Sequence, residues 1–331
     1  MACDPAESTG LRLRRRRYSY PPANALSPGV SRRTLLRAEV GLVEDVSWQA
    51  RHHEDSMEGF SPQFQVAFPY RGSFVWHVGR DDVFGDANQV LYVAGGEAYR
   101  MIVPPSGGYA EFIITPERSV LAEIAHVPEN RLSTHPLFRR RGRRANHYLQ
   151  ALCARFLHWT SGAPVVDDLA GTELVLLCLR VALEDDAPRA QPTASTRRLI
   201  RRTKEFLEAE LANPIRLTDV GRAVGASPAY LTDTFRHVEG VSLHRYLTQL
   251  RLARALHALP HTEDLAALAL EIGFSSHSHF SAAFRRAFGC TPSEFRLRAR
   301  SHRQPSAAME RWTPPARNRY VEPCSSAAMT R

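Results

Sequence analysis

Two stretches of this sequence follow one plan. Leu217-Thr-Asp-Val-Gly-Arg-Ala-Val-Gly225-Ala-Ser-Pro-Ala-Tyr-Leu231-Thr-Asp-Thr-Phe235-Arg236 leads into Gly240-Val-Ser-Leu-His-Arg-Tyr246. Leu265-Ala-Ala-Leu-Ala-Leu-Glu-Ile-Gly273-Phe-Ser-Ser-His-Ser-His-Phe280-Ser-Ala-Ala-Phe284-Arg285 leads into Gly289-Cys-Thr-Pro-Ser-Glu-Phe295. Gly225 matches Gly273 at an offset of 48, while Phe235 and Gly240 match Phe284 and Gly289 at an offset of 49. Each copy reads as a short helix, a glycine turn and a second helix. Gly225 and Gly273 suit the positive φ at which the first helix stops. Ser227 is placed to cap the second helix with Pro228 at its first position, and Ser275 or Ser276 does the same in the second copy. Leu231 and Phe235 share one helical face, as do Phe280, Phe284 and Phe288. These faces pack on Val220 and Val224 in one copy and on Leu268 and Ile272 in the other. The opposite face of each second helix is left outward, the arrangement of a helix-turn-helix whose second helix enters the major groove.

Between the copies, Ser242 caps a helix that runs to about Leu259, before Pro260, with Leu243, Tyr246, Leu247, Leu250, Ala253 and Leu256 as its apolar positions. About seventeen residues span roughly 25 Å. That length can hold two recognition helices on one face of DNA, where successive half-sites lie about 34 Å apart. Charge agrees with this reading. The whole chain of 331 residues carries a formal net charge of +9 and an isoelectric point near 9.7. Residues 197–300 hold sixteen Arg and Lys against ten Asp and Glu, a net +6. Most of the excess positive charge therefore lies where phosphates would be bound.

Ile272-Gly-Phe-Ser-Ser-His-Ser-His-Phe-Ser-Ala-Ala-Phe-Arg-Arg-Ala-Phe-Gly-Cys-Thr-Pro-Ser-Glu-Phe-Arg296 closely resembles the second helix-turn-helix signature of AraC/XylS-type transcriptional regulators. The first copy and Tyr246-Leu-Thr-Gln-Leu-Arg-Leu-Ala-Arg-Ala-Leu256 are similar to the same family. The resemblance implies a bacterial transcription factor, often an activator, that binds double-stranded promoter DNA and works with RNA polymerase. It also implies a cupin-like N-terminal β-domain whose helices support a homodimer and which can sense a small-molecule effector. Carried over by position, His277, Ser278, Ser281 and Ala282 face bases, with Arg285 near a phosphate. The first unit presents Ala229, Tyr230, Thr232 and Asp233, with Arg236 near a phosphate. Asp233 departs from the family, which often has Arg or another polar donor there. A carboxylate can accept from cytosine N4 but repels phosphate, so the first unit is expected to read bases weakly.

Outward from these repeats the expected fold is α+β. Residues 1–36, rich in Arg, Ser and Pro, read as a disordered basic arm. From 37 to 125, short apolar stretches (Phe64-Gln-Val-Ala-Phe, Phe74-Val-Trp-His-Val, Gln89-Val-Leu-Tyr-Val, Glu111-Phe-Ile-Ile) alternate with Gly, Pro, Asn and Asp punctuation, predicting a sandwich or small barrel. Gly95-Gly96 and Gly107-Gly108 read as hairpin turns. Helical periodicity returns over Arg144–Trp159 and about Val166–Leu183. Leu149, Leu152, Phe156, Leu174 and Leu177 on these helices can either pack on their own β-domain or form a dimer interface. The cupin-like sensor and dimerisation domain thus spans 37–185. A polar stretch at 186–196 is a linker, 197–300 the DNA-binding domain, and 301–331 a disordered tail.

Other chemistry has little foothold. Five cysteines without CxxC spacing argue against disulfides and a structural zinc site and point to a reducing cytoplasm, with nucleoid association when DNA is bound. The best apolar run, Leu174–Leu183, holds Arg180 and is too short to span a membrane, and the arginine-rich N-terminus lacks the apolar segment of a signal peptide. His277 and His279 point about 200° apart on a helix and cannot chelate one ion. His52-His53-Glu54-Asp55 reads as a solvated turn. A metal-binding cupin would carry an HxH motif and a later His, whereas His77 stands alone and Tyr109 follows the Pro104-Pro-Ser-Gly-Gly108 turn. No catalytic residue, metal or cofactor is expected. Tyr70, Arg71, Trp76, Tyr92, Tyr99 and Arg100 can line a pocket for a small carboxylate or aromatic effector. The expected function is a sequence-specific DNA-binding transcriptional regulator. The rival is a small-molecule-binding or enzymatic cupin-like protein whose helical domain only mediates assembly.

Overall fold

The computed structural model describes residues 29–48, 56–79, 81–103, 108–135, 140–162, 168–184 and 192–301. Most of the expected N-terminal arm, the 52–55 cluster and nearly all of the tail lie outside these residues. The layout is α+β, with a sheet-rich N-terminal half and a helical C-terminal half.

Among the described residues ten strands form two antiparallel sheets that do not close into one barrel. One sheet has the order β1 (Val30–Ala38), β2 (Gly41–Trp48), β9 (Tyr109–Pro116), β4 (Gln65–Arg71), β7 (Gln89–Val93), β10 (Gly142–Arg144). The other has the order β3 (Ser56–Ser61), β8 (Glu97–Ile102), β5 (Phe74–Val78), β6 (Asp81–Gly85). The central strands of the six-stranded sheet are buried on both faces. Val46, Trp48, Ala67, Tyr109 and Ile113 meet Phe74, Trp76, Val78 and Met101 of the second sheet. Val43, Val66, Phe68, Tyr92, Phe112 and Ile114 face the other way, onto helices. All eight residues of β9 are buried, because a central strand covered on both sides leaves no solvent face for the usual alternation. Pro69 in β4 lacks an N–H to donate, and the ladder to β9 slips between Pro69 and Arg71.

Strand β1 takes in residues 30–36, which the sequence pattern assigns to the basic arm, so the arm is shorter than expected. Arg32 and Arg33 stand opposite the acidic end of β2. Arg32 Nη1 pairs with Glu44 Oε2 at 2.7 Å, and Arg33 Nη2 with Asp45 Oδ2 at 3.2 Å. Charged residues on an edge strand erase the apolar period that would reveal it in sequence. Within the stretch expected to be all β, residues Arg118–Ala125 form a helix, α1.

Helices α2 (His147–Gly162) and α3 (Asp168–Leu183) cover the outer face of the six-stranded sheet. Leu149, Leu152, Phe156 and Leu174 are buried there and Leu177 packs beside them, which settles their first role as packing on their own domain. The next helix, α4 (Ala194–Ala209), starts inside the expected linker, because Thr193 caps it through a bond from Thr196 N.

The helical half continues with α5 (Leu217–Val224), α6 (Pro228–Glu239), α7 (Leu243–Ala258), a short 3-10 turn (Leu259–His261), α8 (Leu265–Glu271), α9 (His277–Phe288) and α10 (Pro292–Ser301). Phe280, Phe284 and Phe288 are buried in one core with Leu268 and Ile272. Leu231 and Phe235 occupy the matching core with Val220 and Val224. No helix among the described residues is long and apolar enough to cross a membrane.

Candidate nucleic-acid interface

The two repeats reproduce each other in backbone detail. Ser227 Oγ accepts from Tyr230 N at 3.3 Å, and Ser276 Oγ accepts from His279 N at 3.1 Å. At the far ends Gly240 (φ 72°) and Gly289 (φ 73°) adopt the left-handed conformation, each donating its N–H to the residue four before, Arg236 and Arg285. Gly225, at φ 72°, closes the first helix of unit one. Gly273, at φ 88°, has a second reason to be glycine, since a Cβ there would lie 2.5 Å from the Leu211 carbonyl oxygen.

Apolar residues turn inward and leave a polar outer face on each second helix. On α9, His277, Ser278, Ala282 and Arg285 are exposed and Ser281 is half-buried. On α6, Ala229, Tyr230, Asp233 and Arg236 are exposed and Thr232 is half-buried. Arg236 and Arg285 form no ion pair among the described residues. The hydroxyls are less open than the exposures suggest. Thr232 Oγ1 donates to Pro228 O at 2.8 Å, and Ser281 Oγ lies 3.3 Å from His277 Nε2. His279 turns away from this face. Its ring meets Phe274 edge-on at 5.3 Å and its Nδ1 lies 3.2 Å from Ser275 Oγ, a packing role. Arg296 and Arg300 are spent on the Thr262–Glu263 turn before α8.

The six residues expected to line an effector pocket are not gathered in one place. Trp76 and Tyr99 come together between the sheets, their rings 5.9 Å apart. Tyr92 lies on the other face of the six-stranded sheet, where its hydroxyl donates to Ala182 O at 2.5 Å. Tyr70 donates to Asp45 Oδ1 at 2.7 Å and stacks on His257 of α7 at 4.4 Å. Arg71 and Arg100 are exposed. The physical reason is strand parity: neighbouring residues of a strand point to opposite faces. Among the described residues no group of three or more His, Cys, Asp or Glu is arranged to hold a metal.

Sequence reading missed a seam between the two halves. Asp86, fully buried in the turn between β6 and β7, accepts from Tyr246 Oη of α7 at 2.6 Å and from Asn88 N at 2.9 Å. Asn88 Nδ2 donates to Tyr246 O at 3.0 Å, and Gln249 Nε2 to Ala145 O at 2.8 Å. Lys204 of α4 sits over the Tyr246 ring and pairs with Glu239 at 2.8 Å. Burial raises the Asp86 carboxyl above its ordinary range, against the pull of Lys204. Toward unit two, Ala151 and Ala154 of α2 enter the core with Leu252, Ala255, Phe288 and Phe295. Three histidines line this contact. Burial lowers His147 and His158 of α2 to about 4 and His257 of α7 to about 3. The signal in sequence is the Ala151/Ala154 pair, set among Tyr148, Leu149, Leu152, Arg155 and Phe156.

A family model described as a helix-turn-helix domain matches residues 220–298. Over 135 residues the chain is 32% identical to the HTH-type transcriptional activator RhaR of Klebsiella pneumoniae, covering 40% of this chain and 48% of that protein. Over 100 residues it is 34% identical to the HTH-type transcriptional regulator ExsA of Pseudomonas aeruginosa, covering 30% of this chain and 36% of that protein. The matches therefore span about half the length of these relatives or less. A solved structure of a transcriptional regulator with an AraC-type DNA-binding domain from Chromobacterium violaceum is 30% identical, with a TM-score of 0.31, covering 33% of this chain and 99% of that one.

Proposed function

We propose that the chain, through its paired helix-turn-helix units, is a member of the AraC/XylS family and a sequence-specific DNA-binding transcriptional regulator. Unit two reads base edges through His277, Ser278, Ser281 and Ala282 and is anchored to phosphate by Arg285. Unit one contributes Tyr230, Ala229 and the Thr232 methyl as apolar contacts, with Arg236 as its phosphate anchor. With Thr232 Oγ1 bonded to Pro228 O and Asp233 unsuited to phosphate, unit one adds more to affinity than to discrimination. The observation that carries this reading is the repeated geometry: two equivalent caps and turns, each leaving one polar helix face outward beside an arginine that has no acidic partner among the described residues. The N-terminal domain supplies effector sensing and dimerisation, and RNA polymerase is the second partner at the promoter.

The test is affinity for operator and scrambled DNA, with operators taken from genome-wide mapping of bound sites. A His277→Ala, Ser281→Ala double variant should lose about 1–3 kcal/mol per base contact on the operator and little on scrambled DNA. Equal loss on both would sink the assignment of these residues as base readers.

A further inference from the structure

Strand β9 carries a carboxylate into the packed interface between the two sheets. Tyr109, Glu111 and Ile113 share the face that looks at the four-stranded sheet, while Phe112 and Ile114 look at the helices. Glu111 stands opposite Val46 of β2 and Pro69 of β4, in the interior of its sheet, and is 6% exposed. No donor among the described residues reaches its carboxylate with a hydrogen bond. Glu44 on the same face is also buried, but it is paired with Arg32 at 2.7 Å. Two acids thus share one arginine, and the arginine is bonded to the other.

The surroundings are aromatic. Tyr109 is flanked by Phe74 at 4.7 Å and by Trp48 at 6.3 Å. Tyr99 meets Trp76 edge-on at 5.9 Å. The charge of Glu111 is felt at both Tyr99 and Tyr109. Gly59 of β3, opposite Tyr99, makes room for that ring, since a Cβ there would lie 2.4 Å from it. A buried carboxylate without donors is costly, and one among aromatic faces is complementary to an organic cation. The acid takes the N–H groups and the rings take the charge and the alkyl part.

We propose that the interface between the sheets opens to a site for a small organic ammonium, held by Glu111 and walled by Tyr99, Tyr109, Trp48 and Trp76. This names the chemical class of the effector, and it rests on the reading of the N-terminal domain as a sensor. Burial, opposed by Arg32, moves the Glu111 carboxyl up to about 8. The other titratable groups facing it are Arg32, Glu44, Tyr99 and Tyr109. At neutral pH the ammonium must therefore displace a proton from Glu111 in order to bind.

The test uses the whole chain and its tryptophan fluorescence, to which Trp48 and Trp76 contribute alongside Trp159 and Trp312. Phenethylammonium, n-butylammonium and tetramethylammonium are titrated beside 2-phenylethanol and phenylacetate. Phenethylammonium should quench saturably with Kd below about 1 mM, at least tenfold tighter than either uncharged or anionic analogue. Its affinity should rise about tenfold between pH 6 and 7, level off above pH 8, and fall as the amine itself deprotonates near pH 10. Glu111→Gln should weaken it at least tenfold while leaving the DNA mobility shift unchanged. Equal binding of 2-phenylethanol, unchanged binding by Glu111→Gln, or no saturable response to any ammonium up to about 10 mM overturns the proposal. Should the variant fail to fold, a flat pH profile of the wild-type protein between 6 and 8 does the same. Loss of the wild-type mobility shift would instead overturn the DNA-binding reading and leave this one standing.

Discussion

Whether the two halves are joined in solution can be decided at a single contact, Tyr246 to Asp86. Tyr246 Oη donates to Asp86 Oδ2 at 2.6 Å inside the seam, and both side chains are fully buried. The carboxylate has one further donor, Asn88 N at 2.9 Å. A hydrogen bond to a charged group contributes about 1.5–3 kcal/mol, and losing the donor strands a buried charge. Tyr246→Phe should therefore cost about 1.5–3 kcal/mol, since the ring keeps its edge-on contact with Phe235 at 5.3 Å. The cost should shrink as pH falls, because a protonated Asp86 no longer needs the donor for its charge. Asp86→Ala removes the acceptor from the other domain. Urea unfolding of the wild type, both single variants and the double variant closes a cycle. The expected coupling is about 1.5–3 kcal/mol. Additivity within about 0.5 kcal/mol would show that the contact does not exist in solution, and the docked arrangement would fall with it.

Phe284 is fully buried with its ring 4.6 Å from Phe288 and 5.7 Å from Phe280, so Phe284→Ala should cost about 3–5 kcal/mol, read by thermal melting; no loss would mean the inward face of α9 is misassigned. His158, lowered by burial to about 4 from an ordinary 6.5, contributes stability that is present above pH 6.5 and lost as pH falls toward 4. The wild type should accordingly lose about 2 kcal/mol relative to His158→Phe between pH 7 and pH 5. The difference curve is needed because Glu208, raised by burial to about 7, stabilises the fold as pH falls and masks the histidine in the wild type alone. Arg285→Ala should weaken operator and scrambled DNA alike and lower the salt slope by about one unit; an unchanged slope removes Arg285 as a phosphate contact.

The helix-turn-helix half was legible because its determinants are local. Ser227, Pro228, Gly225 and the Phe280–Phe284–Phe288 stripe each act within one or two turns of backbone. Ser242 and Pro260 likewise bracket α7 as observed. The β-half was legible in kind and not in detail. Strand β1 was hidden because Arg32 and Arg33 make sense only beside Glu44 and Asp45 of the next strand. The dispersed effector residues show the same limit. Aromatic residues in strands are easy to find, but a shift of one residue sends a ring to the opposite face, as with Tyr92 and Trp76. Glu111 lies within a stretch read simply as a strand, and only the parity of Tyr109, Glu111 and Ile113 around a doubly covered sheet shows that it points inward. The seam depends on contacts between residues about 160 positions apart, such as Asp86 and Tyr246, and no period in either segment reports on the other.

The placement of the seam limits how a ligand in the N-terminal domain can act on the helical half. Docking covers α7, the C-terminal end of α9 and α10, through Tyr246, Gln249, Phe288 and Phe295. The outward residues of α6 and α9, among them Tyr230, Asp233, His277, Ser278 and Arg285, stay exposed with the domains docked. A ligand therefore has no masked recognition helix to uncover. What the N-terminal domain holds is the back of both units at once: Asp86 and Asn88 on the α7 end near unit one, and Ala151 and Ala154 on unit two. The route from Glu111 between the sheets to these contacts is short. Glu111 and Phe112 are neighbours on opposite faces of β9, and the Phe112 ring meets Phe156 of α2 at 5.2 Å. The opposite side of α2 carries Ala151 and Ala154 into the core of unit two. Packed interiors shift between discrete arrangements rather than deforming smoothly. On the proposed reading of the N-terminal domain as a sensor, a ligand that moved β9 against α2 would change the spacing of the two units rather than their exposure, and spacing decides whether both can sit in successive major grooves.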